Sequence, residues 1–238
     1  MEGVTVAPSP AHGRHVLRDA AFLLLAVAVL VAVLAHYGVF SGSTSSGLQG
    51  SGVAAAQARS LPPFHAVELA GSNDVRVSVG GRQTVVVRGD DNLLAHVTTT
   101  VRGGRLVVGT VGSFTTRSPM RVDVVVPQLD ALRLSGSGVV DAQDVDVPDL
   151  TVTLAGSGLM TASGTVGGLD VVLSGSGSAR LEHLLAHDAN ALVSGSGAIF
   201  VSASHELDAT VTGSGSIVYS GSPRLTEHLS GTGAVVRG

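Results

Sequence analysis

Two histidines four residues apart are the first residues in this chain whose spacing suggests chemistry. His183 and His187 lie in the segment Glu182-His-Leu-Leu-Ala-His187, and on a helix such a pair supplies half of a zinc site. The glutamate stands in the wrong place for a metalloprotease, whose motif sets it directly after the first histidine. The segment is instead predicted as a turn between repeats, so we expect solvated histidines and no metal ligands.

Four aspartates lie within nine residues, and their carboxylates are the ligand type that calcium prefers. They are Asp141, Asp144, Asp146 and Asp149. Calcium requires several oxygen atoms that converge at about 2.4 Å, usually on a glycine-rich loop. The nine-residue repeat of calcium-binding β-helices is absent from the sequence. We therefore expect a solvated acidic loop, with a weak calcium site as the alternative.

The third candidate is a pattern that occurs six times: an apolar residue, then Ser, Thr or Ala, then Gly-Ser/Thr-Gly. The copies occupy 134–138, 154–158, 173–177, 193–197, 211–215 and 229–233. No copy continues to the third glycine of a dinucleotide site or to the lysine of a phosphate loop. A nucleophile elbow requires a helix after its serine, and none is predicted here. We therefore expect structural corners, with no catalytic residue, no cofactor site and no metal site.

The spacing of these corners predicts a β-solenoid. The first glycines of successive copies are 20, 19, 20, 18 and 18 residues apart, a near-constant period that is typical of stacked coils. Apolar residues alternate with polar or small ones before each corner, which predicts strands with one buried face. Asp130 and Glu227 break the alternation in the first and last copies, as expected for end repeats. We expect an all-β fold with about six coils over 129–238.

Residues 64–128 are predicted to form a region of four to six short strands before the coils. Gly80-Gly81 and Gly103-Gly104 each separate two apolar runs, which is a strong hairpin signal. No convincing helix is predicted there. The folded domain therefore spans 64–238.

An apolar stretch near the N-terminus predicts one transmembrane helix, a signal anchor over 20–40. Its 21 residues would span roughly 30 Å as a helix, the thickness of a bilayer core. Arg14 and Arg18 precede the stretch and the next arginine is Arg59, so the charge bias places residues 1–19 in the cytoplasm. The alternative is a cleaved signal peptide, which would leave the protein secreted. Residues 41–63, rich in Gly, Ser and Ala, are predicted as a flexible linker.

Composition excludes several classes of partner and chemistry. All 14 basic residues are arginine and the net charge is −4, so there is no basic stripe for nucleic acid. The chain has no cysteine, which excludes disulfides, thiolate chemistry and a lipid attached through cysteine. Aromatic residues make up only 3% of the chain, so the core must consist of small aliphatic side chains.

Several stretches of the folded part resemble one known family. They are Phe64-x-x-Val67, Asn73-Asp74-Val75, Gly-Asp-Asp-Asn-Leu-Leu at 89–94 and the Arg-Leu-Val-Val that begins at Arg105. With the Gly-Ser-Gly corners they resemble the family described as putative auto-transporter adhesin, head GIN domain, a domain of unknown function. The resemblance covers about 64–238. It implies a β-solenoid of bacterial envelope proteins, exported behind a signal, a lipid anchor or a membrane helix.

The chain departs from this family in two ways. It lacks a lipid-bearing cysteine, so the predicted helix must supply any anchor. Many relatives carry Asp or Asn directly after Gly-Ser-Gly, which would add a row of carboxylates. Here those positions are Val139, Leu159, Ser178, Ala198, Ser216 and Ala234. The family supplies no catalytic residues to carry over.

Together these features predict a non-enzymatic bacterial envelope protein, anchored in the cell membrane by one span. Its rigid extracytoplasmic β-solenoid would act by surface contact, as an adhesion-like or scaffolding module, with an envelope protein or a glycan as partner. One alternative is a carbohydrate-binding or carbohydrate-active β-helix, although fold analogy alone cannot supply that activity. The other is a self-assembling scaffold, a homo-oligomer that pairs through the solenoid ends.

Overall fold

The computed structural model of this protein describes residues 47–238. The predicted cytoplasmic segment 1–19, the predicted span 20–40 and the start of the predicted linker lie outside these residues. Between residues 47 and 238, no helix has the length and apolar character needed to cross a membrane.

Residues 47–238 form seventeen strands and one short 3-10 helix, Asp91–His96. The strands are β1 (Leu48–Gln49), β2 (Ala54–Arg59), β3 (Ala66–Gly71), β4 (Asp74–Val79), β5 (Thr84–Asp90), β6 (Val97–Arg102), β7 (Arg105–Thr110), β8 (Phe114–Thr115), β9 (Arg121–Val126), β10 (Ala131–Gly136), β11 (Val139–Gly156), β12 (Leu159–Gly175), β13 (Ser178–Gly195), β14 (Ala198–Gly213), β15 (Ser216–Gly221), β16 (Arg224–Gly231) and β17 (Ala234–Arg237). Fifteen of them belong to one sheet, and β1 and β8 form a separate parallel pair. The predicted all-β fold is confirmed for this part of the chain.

The predicted corners stack in register, as a solenoid requires. The strands from β10 to β17 pair in parallel, and the first glycines of the corners are direct partners in the order Gly136, Gly156, Gly175, Gly195, Gly213, Gly231. Each corner also bonds to its neighbour: the amides of Ser176 and Gly177 donate to Gly156 O at 3.0 and 2.9 Å. The solenoid has about five turns, whereas the sequence predicted about six coils.

The two glycines of each corner are required for different reasons. The first glycine has φ between +116° and +133° in all six corners, a region that side chains with a Cβ avoid. The second lies against the neighbouring corner: a Cβ at Gly197 would lie 2.5 Å from Gly177 O and 2.5 Å from Leu173 Cδ2. The hydroxyl between the glycines stays at the surface, and Ser214 and Thr232 pair there at 3.1 Å.

An aliphatic core fills the turns. The residues directly before the first five corners are buried: Leu134, Leu154, Leu173, Val193 and Val211. After each of these five corners the chain buries a second set: Val140, Met160, Ala179, Ile199 and Ile217. Burial of one Leu, Val, Ile or Met side chain stabilises the fold by about 1.5–3 kcal/mol. The side chains therefore face inward again after each corner, as the sequence pattern predicts.

The stack begins earlier in the chain than predicted. Strand β3 pairs in parallel with β10, and Gly71 is the register partner of Gly136. Strand β4 likewise pairs with β11. The segment Leu69-Ala-Gly-Ser-Asn73 therefore forms a further corner, in which Asn73 takes the place of the second glycine. Strands from the 64–128 region thus belong to the same sheet as the coils.

One of the two predicted hairpins forms. Strands β6 and β7 are antiparallel around Gly103-Gly104, with Arg102 opposite Arg105. At Gly80-Gly81 the flanking strands β4 and β5 do not pair with each other, because β9 lies between them. The glycine pair there makes a wider connection, and the hairpin prediction for that position is wrong.

Part of the predicted linker 41–63 is a strand. Strand β2 pairs antiparallel with β5, from Ala54 opposite Asp90 to Arg59 opposite Val85. The guanidinium of Arg59 donates from Nη2 to Leu94 O at 2.8 Å. A strand at a sheet edge is held mainly by backbone bonds to its partner, so its exposed alanines need no alternating pattern. The prediction of a flexible linker is therefore wrong for 54–59.

A buried carboxylate, that of Asp90, holds the segment before β2 in place by hydrogen bonds. Asp90 is fully buried and accepts hydrogen bonds from the amides of Gly52 at 2.9 Å, Arg117 at 2.8 Å and Ser118 at 3.2 Å. The bond from Arg117 is the main cause that holds the pKa of Asp90 below its ordinary 3.8, although burial opposes this shift. Asp90 thus joins three segments of the chain and has a structural role.

Candidate functional site

Two histidines and an aspartate form a compact cluster on the outer surface of the solenoid. His187 and Asp188 belong to β13, and His205 belongs to β14, the strand of the next turn. The Nδ1 atoms of His187 and His205 lie 3.0 and 2.7 Å from Oδ2 and Oδ1 of Asp188. The two imidazole rings stack with their centroids 4.7 Å apart and their planes at 26°. One carboxylate therefore holds both rings side by side.

A β-bulge brings the histidines to the same place. Ala186 pairs with Ala203, whereas Asp188 pairs with Glu206. A single residue of β13, His187, thus opposes two residues of β14, Ser204 and His205. The Ser204 hydroxyl donates to Ala186 O at 3.2 Å across the bulge. Bulges commonly re-aim a side chain in this way, and here the re-aimed side chain is His205.

Hydrogen bonding sets the charge of this cluster. The bond from His205 is the main cause that lowers the pKa of Asp188, and the bond from His187 adds to it. Asp188 is therefore ionised at neutral pH. Each Nδ1 then carries a proton that it donates to one carboxylate oxygen.

An acidic groove of ≈ 300 Å³ adjoins the cluster and includes Asp188 itself. The residues that line the groove lie in two rows that run from turn to turn, because parallel strands place register partners above one another. The carboxylates that line it are Asp149, Asp170, Asp188, Glu206 and Asp208. Gly168 leaves the space that the Asp149 carboxylate occupies, since a Cβ there would lie 2.6 Å from Asp149 Oδ1.

One arginine pairs with a carboxylate of the groove, and one carboxylate oxygen there has no partner. Arg224 Nη2 lies 3.1 Å from Glu206 Oε1. Within residues 47–238, Oδ1 of Asp208 is buried and accepts no hydrogen bond. The groove therefore concentrates negative charge that the protein only partly compensates.

The structure places the sequence-predicted histidines differently from the prediction. Segment 182–187 lies within β13 and is not a turn. In a strand, residues four apart lie about 13 Å apart on one face, so His183 and His187 are too far apart to share a metal ion. His187 instead meets His205 of the next turn, 18 residues further along the chain. That spacing equals the repeat period, which is the signal in the sequence that could have found the pair.

The four aspartates of the first coil do not converge. Asp141 accepts from Thr161 Oγ1 at 2.7 Å and from Gln143 Nε2 at 2.9 Å, and it lies 3.4 Å from Arg76 Nε. Asp149 lies apart from it, in the acidic groove. Among residues 47–238, the group of three metal-ligating side chains with all ligand atoms within 4.8 Å is His187, Asp188 and His205. The geometry thus favours that cluster over the aspartates.

Solved structures with the same fold include two putative adhesins and one putative lipid binding protein. A putative adhesin from Bacteroides fragilis is 23% identical, with a TM-score of 0.67 over 80% of this chain and 100% of its own. A putative lipid binding protein from Parabacteroides distasonis is 21% identical, with a TM-score of 0.54 over 80% of this chain and 99% of its own. A putative adhesin from Parabacteroides merdae is 20% identical, with a TM-score of 0.53 over 80% of this chain and 98% of its own.

The sequence itself identifies the family. No match to this chain is found among curated proteins. Residues 63–223 match the family described as putative auto-transporter adhesin, head GIN domain. That range contains β3 to β15, with the acidic groove and all the in-register corners described above except the last, 229–233. The chain therefore belongs to the head GIN domain family of putative auto-transporter adhesins.

Proposed function

We propose that this protein is a non-enzymatic, membrane-anchored envelope protein that acts by surface contact. The observation that carries the proposal is the in-register stack of parallel turns, because such a column is rigid and presents one continuous surface to a partner. The groove supports it, since carboxylates from several successive turns face one shared surface. A partner that lies along the column would contact several turns at once.

The anchor in this proposal is the apolar stretch 20–40, with the arginines before it setting the orientation. The folded domain would then lie outside the cytoplasmic membrane, joined to the span by the residues that precede β1. Expression of the full-length chain in a bacterial host tests this topology. Protease added to spheroplasts should remove the solenoid and leave a short membrane-bound fragment. A solenoid that is digested only after lysis would contradict the proposal, and a solenoid released into the medium would favour the cleaved signal peptide.

Adhesion is tested on the same cells. Cells that display the full chain should bind to surfaces coated with envelope proteins or glycans, and cells that express only residues 1–63 should not. A panel of soluble polysaccharides serves as the control for enzymatic activity. Turnover of any polysaccharide would replace this proposal with the carbohydrate-active alternative.

Self-assembly is a second candidate, and the exposed end of the stack favours it. Within residues 47–238, the last strands β16 and β17 each pair on one side, with β14 and β15. Leu229 and Val236 on these strands are exposed to 50% and 46%. Open strand edges pair readily with another chain. Sedimentation of the full-length protein should then show dimers that a Val236→Lys substitution dissociates, and monomers at all concentrations would exclude this candidate.

A further inference from the structure

We propose that His187, Asp188 and His205 form a binding site for a divalent transition-metal ion, for which zinc is the expected ion. The site would be independent of the proposed adhesive function. It is assigned from the geometry of three side chains on two adjacent turns of the solenoid.

The distances between the ligand atoms nearly match a zinc site. Zinc binds imidazole nitrogen at about 2.0–2.1 Å and carboxylate oxygen at about 2.0–2.2 Å in a tetrahedron, whose edges are then about 3.4 Å. The nitrogen–oxygen distances in the cluster are 3.0 and 2.7 Å. All three ligand atoms lie within 4.8 Å of one another. Small side-chain rotations would therefore open the cluster enough to admit the ion.

The protons balance without a change in the charge of the rings. Before binding, each Nδ1 carries the proton that it donates to Asp188. On binding, the metal replaces the proton on each Nδ1; that proton passes to water while Nε2 takes one up from water, so each ring still carries one proton. Asp188 is already ionised, so it supplies its negative charge directly to the cation.

The chemistry of the ligands selects the class of metal. Two imidazoles and one carboxylate suit zinc, nickel or copper, whereas calcium and magnesium prefer an all-oxygen set. Three protein ligands leave a fourth position of a tetrahedral ion for water or for a group on a partner. The side chains of His187, Asp188 and His205 are exposed to 60%, 50% and 58%, so that position faces solvent.

The fold prepares the site in two ways. The stacked strands and the bulge hold the histidines side by side, although 17 residues separate them in the chain. The acidic groove beside them adds a negative field, because Asp188 and Glu206 both line it, together with Asp170. Asp208 contributes a buried oxygen without a hydrogen-bond donor. Such a field raises the local concentration of cations.

The experiment is a zinc titration of the full-length chain, purified in mild detergent with a tag that contains no histidine. Isothermal calorimetry should show one zinc ion bound per chain. Cobalt in place of zinc should give the intense visible bands of a tetrahedral site. Thermal unfolding should move to higher temperature as zinc is added, because the ion binds the folded chain. Calcium or magnesium at the same concentrations should produce none of these changes.

Variants separate this site from general binding by surface groups. His187→Ala, His205→Ala and Asp188→Asn should each weaken zinc binding about tenfold or more. His183→Ala is the matched control, because it removes an exposed histidine from the same strand and should leave the affinity unchanged. His205 is one of the two bulged residues, so His205→Ala could disturb the bulge, which its circular dichroism spectrum would show. In that case the zinc affinity of His187→Ala alone tests the proposal, because His187 lies on the strand opposite the bulge. Equal affinity in His187→Ala and His183→Ala, or no saturable zinc binding at all, would overturn the proposal.

Discussion

A methyl group added to the second glycine of a central corner should weaken the solenoid far more than one added to a glycine outside the corners, such as Gly109. Gly197→Ala would place a Cβ 2.5 Å from Gly177 O and 2.5 Å from Leu173 Cδ2, whereas ordinary contact begins at 3.4 Å. Neither of these two atoms can easily move away from the new Cβ. Leu173 is fully buried, and Gly177 O accepts the hydrogen bond from the Ala198 amide at 3.1 Å.

The size of the effect follows from these two contacts. Overpacking of a filled core costs about 1–3 kcal/mol. Displacing Gly177 O weakens one hydrogen bond between turns, which costs about 0.5–1.5 kcal/mol more. We therefore expect Gly197→Ala to lower the free energy of unfolding by about 3 kcal/mol. This is a large fraction of the roughly 5–15 kcal/mol that stabilises a typical domain.

Urea unfolding of the full-length protein, followed by far-ultraviolet circular dichroism, measures the difference. The matched control is Gly109→Ala in β7, where the nearest atom to a new Cβ is the hydroxyl oxygen of Thr98, at 3.1 Å. That side chain can rotate, and φ at Gly109 is not positive, so the control should change the free energy by less than about 1 kcal/mol. Equal destabilisation by the two substitutions would refute the steric explanation of the corner.

Four further substitutions test the core, the buried carboxylate and the surface. Leu173→Ala, at a fully buried position, should lower the free energy of unfolding by about 2–5 kcal/mol, and Leu185→Ala, at a position that is 51% exposed, by less than about 1 kcal/mol. The lowered pKa of Asp90 adds stability above about pH 3.8 that is lost as the pH falls through the lower pKa of the folded state. In thermal melts between pH 2 and pH 6, Asp90→Asn should therefore be less stable than the native chain at pH 6 and should lose less stability as the pH falls to 2. Arg224→Ala removes an ion pair whose arginine side chain is 74% exposed, so urea unfolding should change by less than about 1 kcal/mol.

Sequence reasoning could predict the corners because their chemistry is local. A glycine is needed wherever φ is strongly positive, and the first glycine of each corner meets this condition. The need for the second glycine arises only when one turn lies on the next, so it is visible only in the stacked structure. The corner at Gly71 was not predicted for the same reason: Asn73 replaces the second glycine there, and only the stacking of Gly71 on Gly136 reveals the corner.

The candidate site was missed for a related reason, although its two histidines are one repeat period apart. His187 and His205 meet through the register of two turns and a one-residue bulge. The sequence shows the period of 18 to 20 residues but not where a bulge falls within it. Strand β2 was not predicted because backbone hydrogen bonds to β5 hold it in place. Its exposed alanines therefore need no alternating pattern that the sequence could show. Features created by contacts between distant segments were therefore the ones missed.

Disulfide trapping tests most directly whether successive turns stack in register. The native chain has no cysteine, so any disulfide that forms must join the two introduced cysteines. Ala155 and Ser174 are exposed register partners on adjacent turns, and partners about 4.8 Å apart are within the reach of a disulfide. Ala155→Cys with Ser174→Cys should cross-link fully on mild oxidation, as seen by mass spectrometry of the full-length chain. Ala155→Cys with Val172→Cys is shifted by two residues, which separates the two positions by about 8 Å, and should not cross-link. Equal cross-linking of the two pairs, or none in the first, would contradict the stacked solenoid.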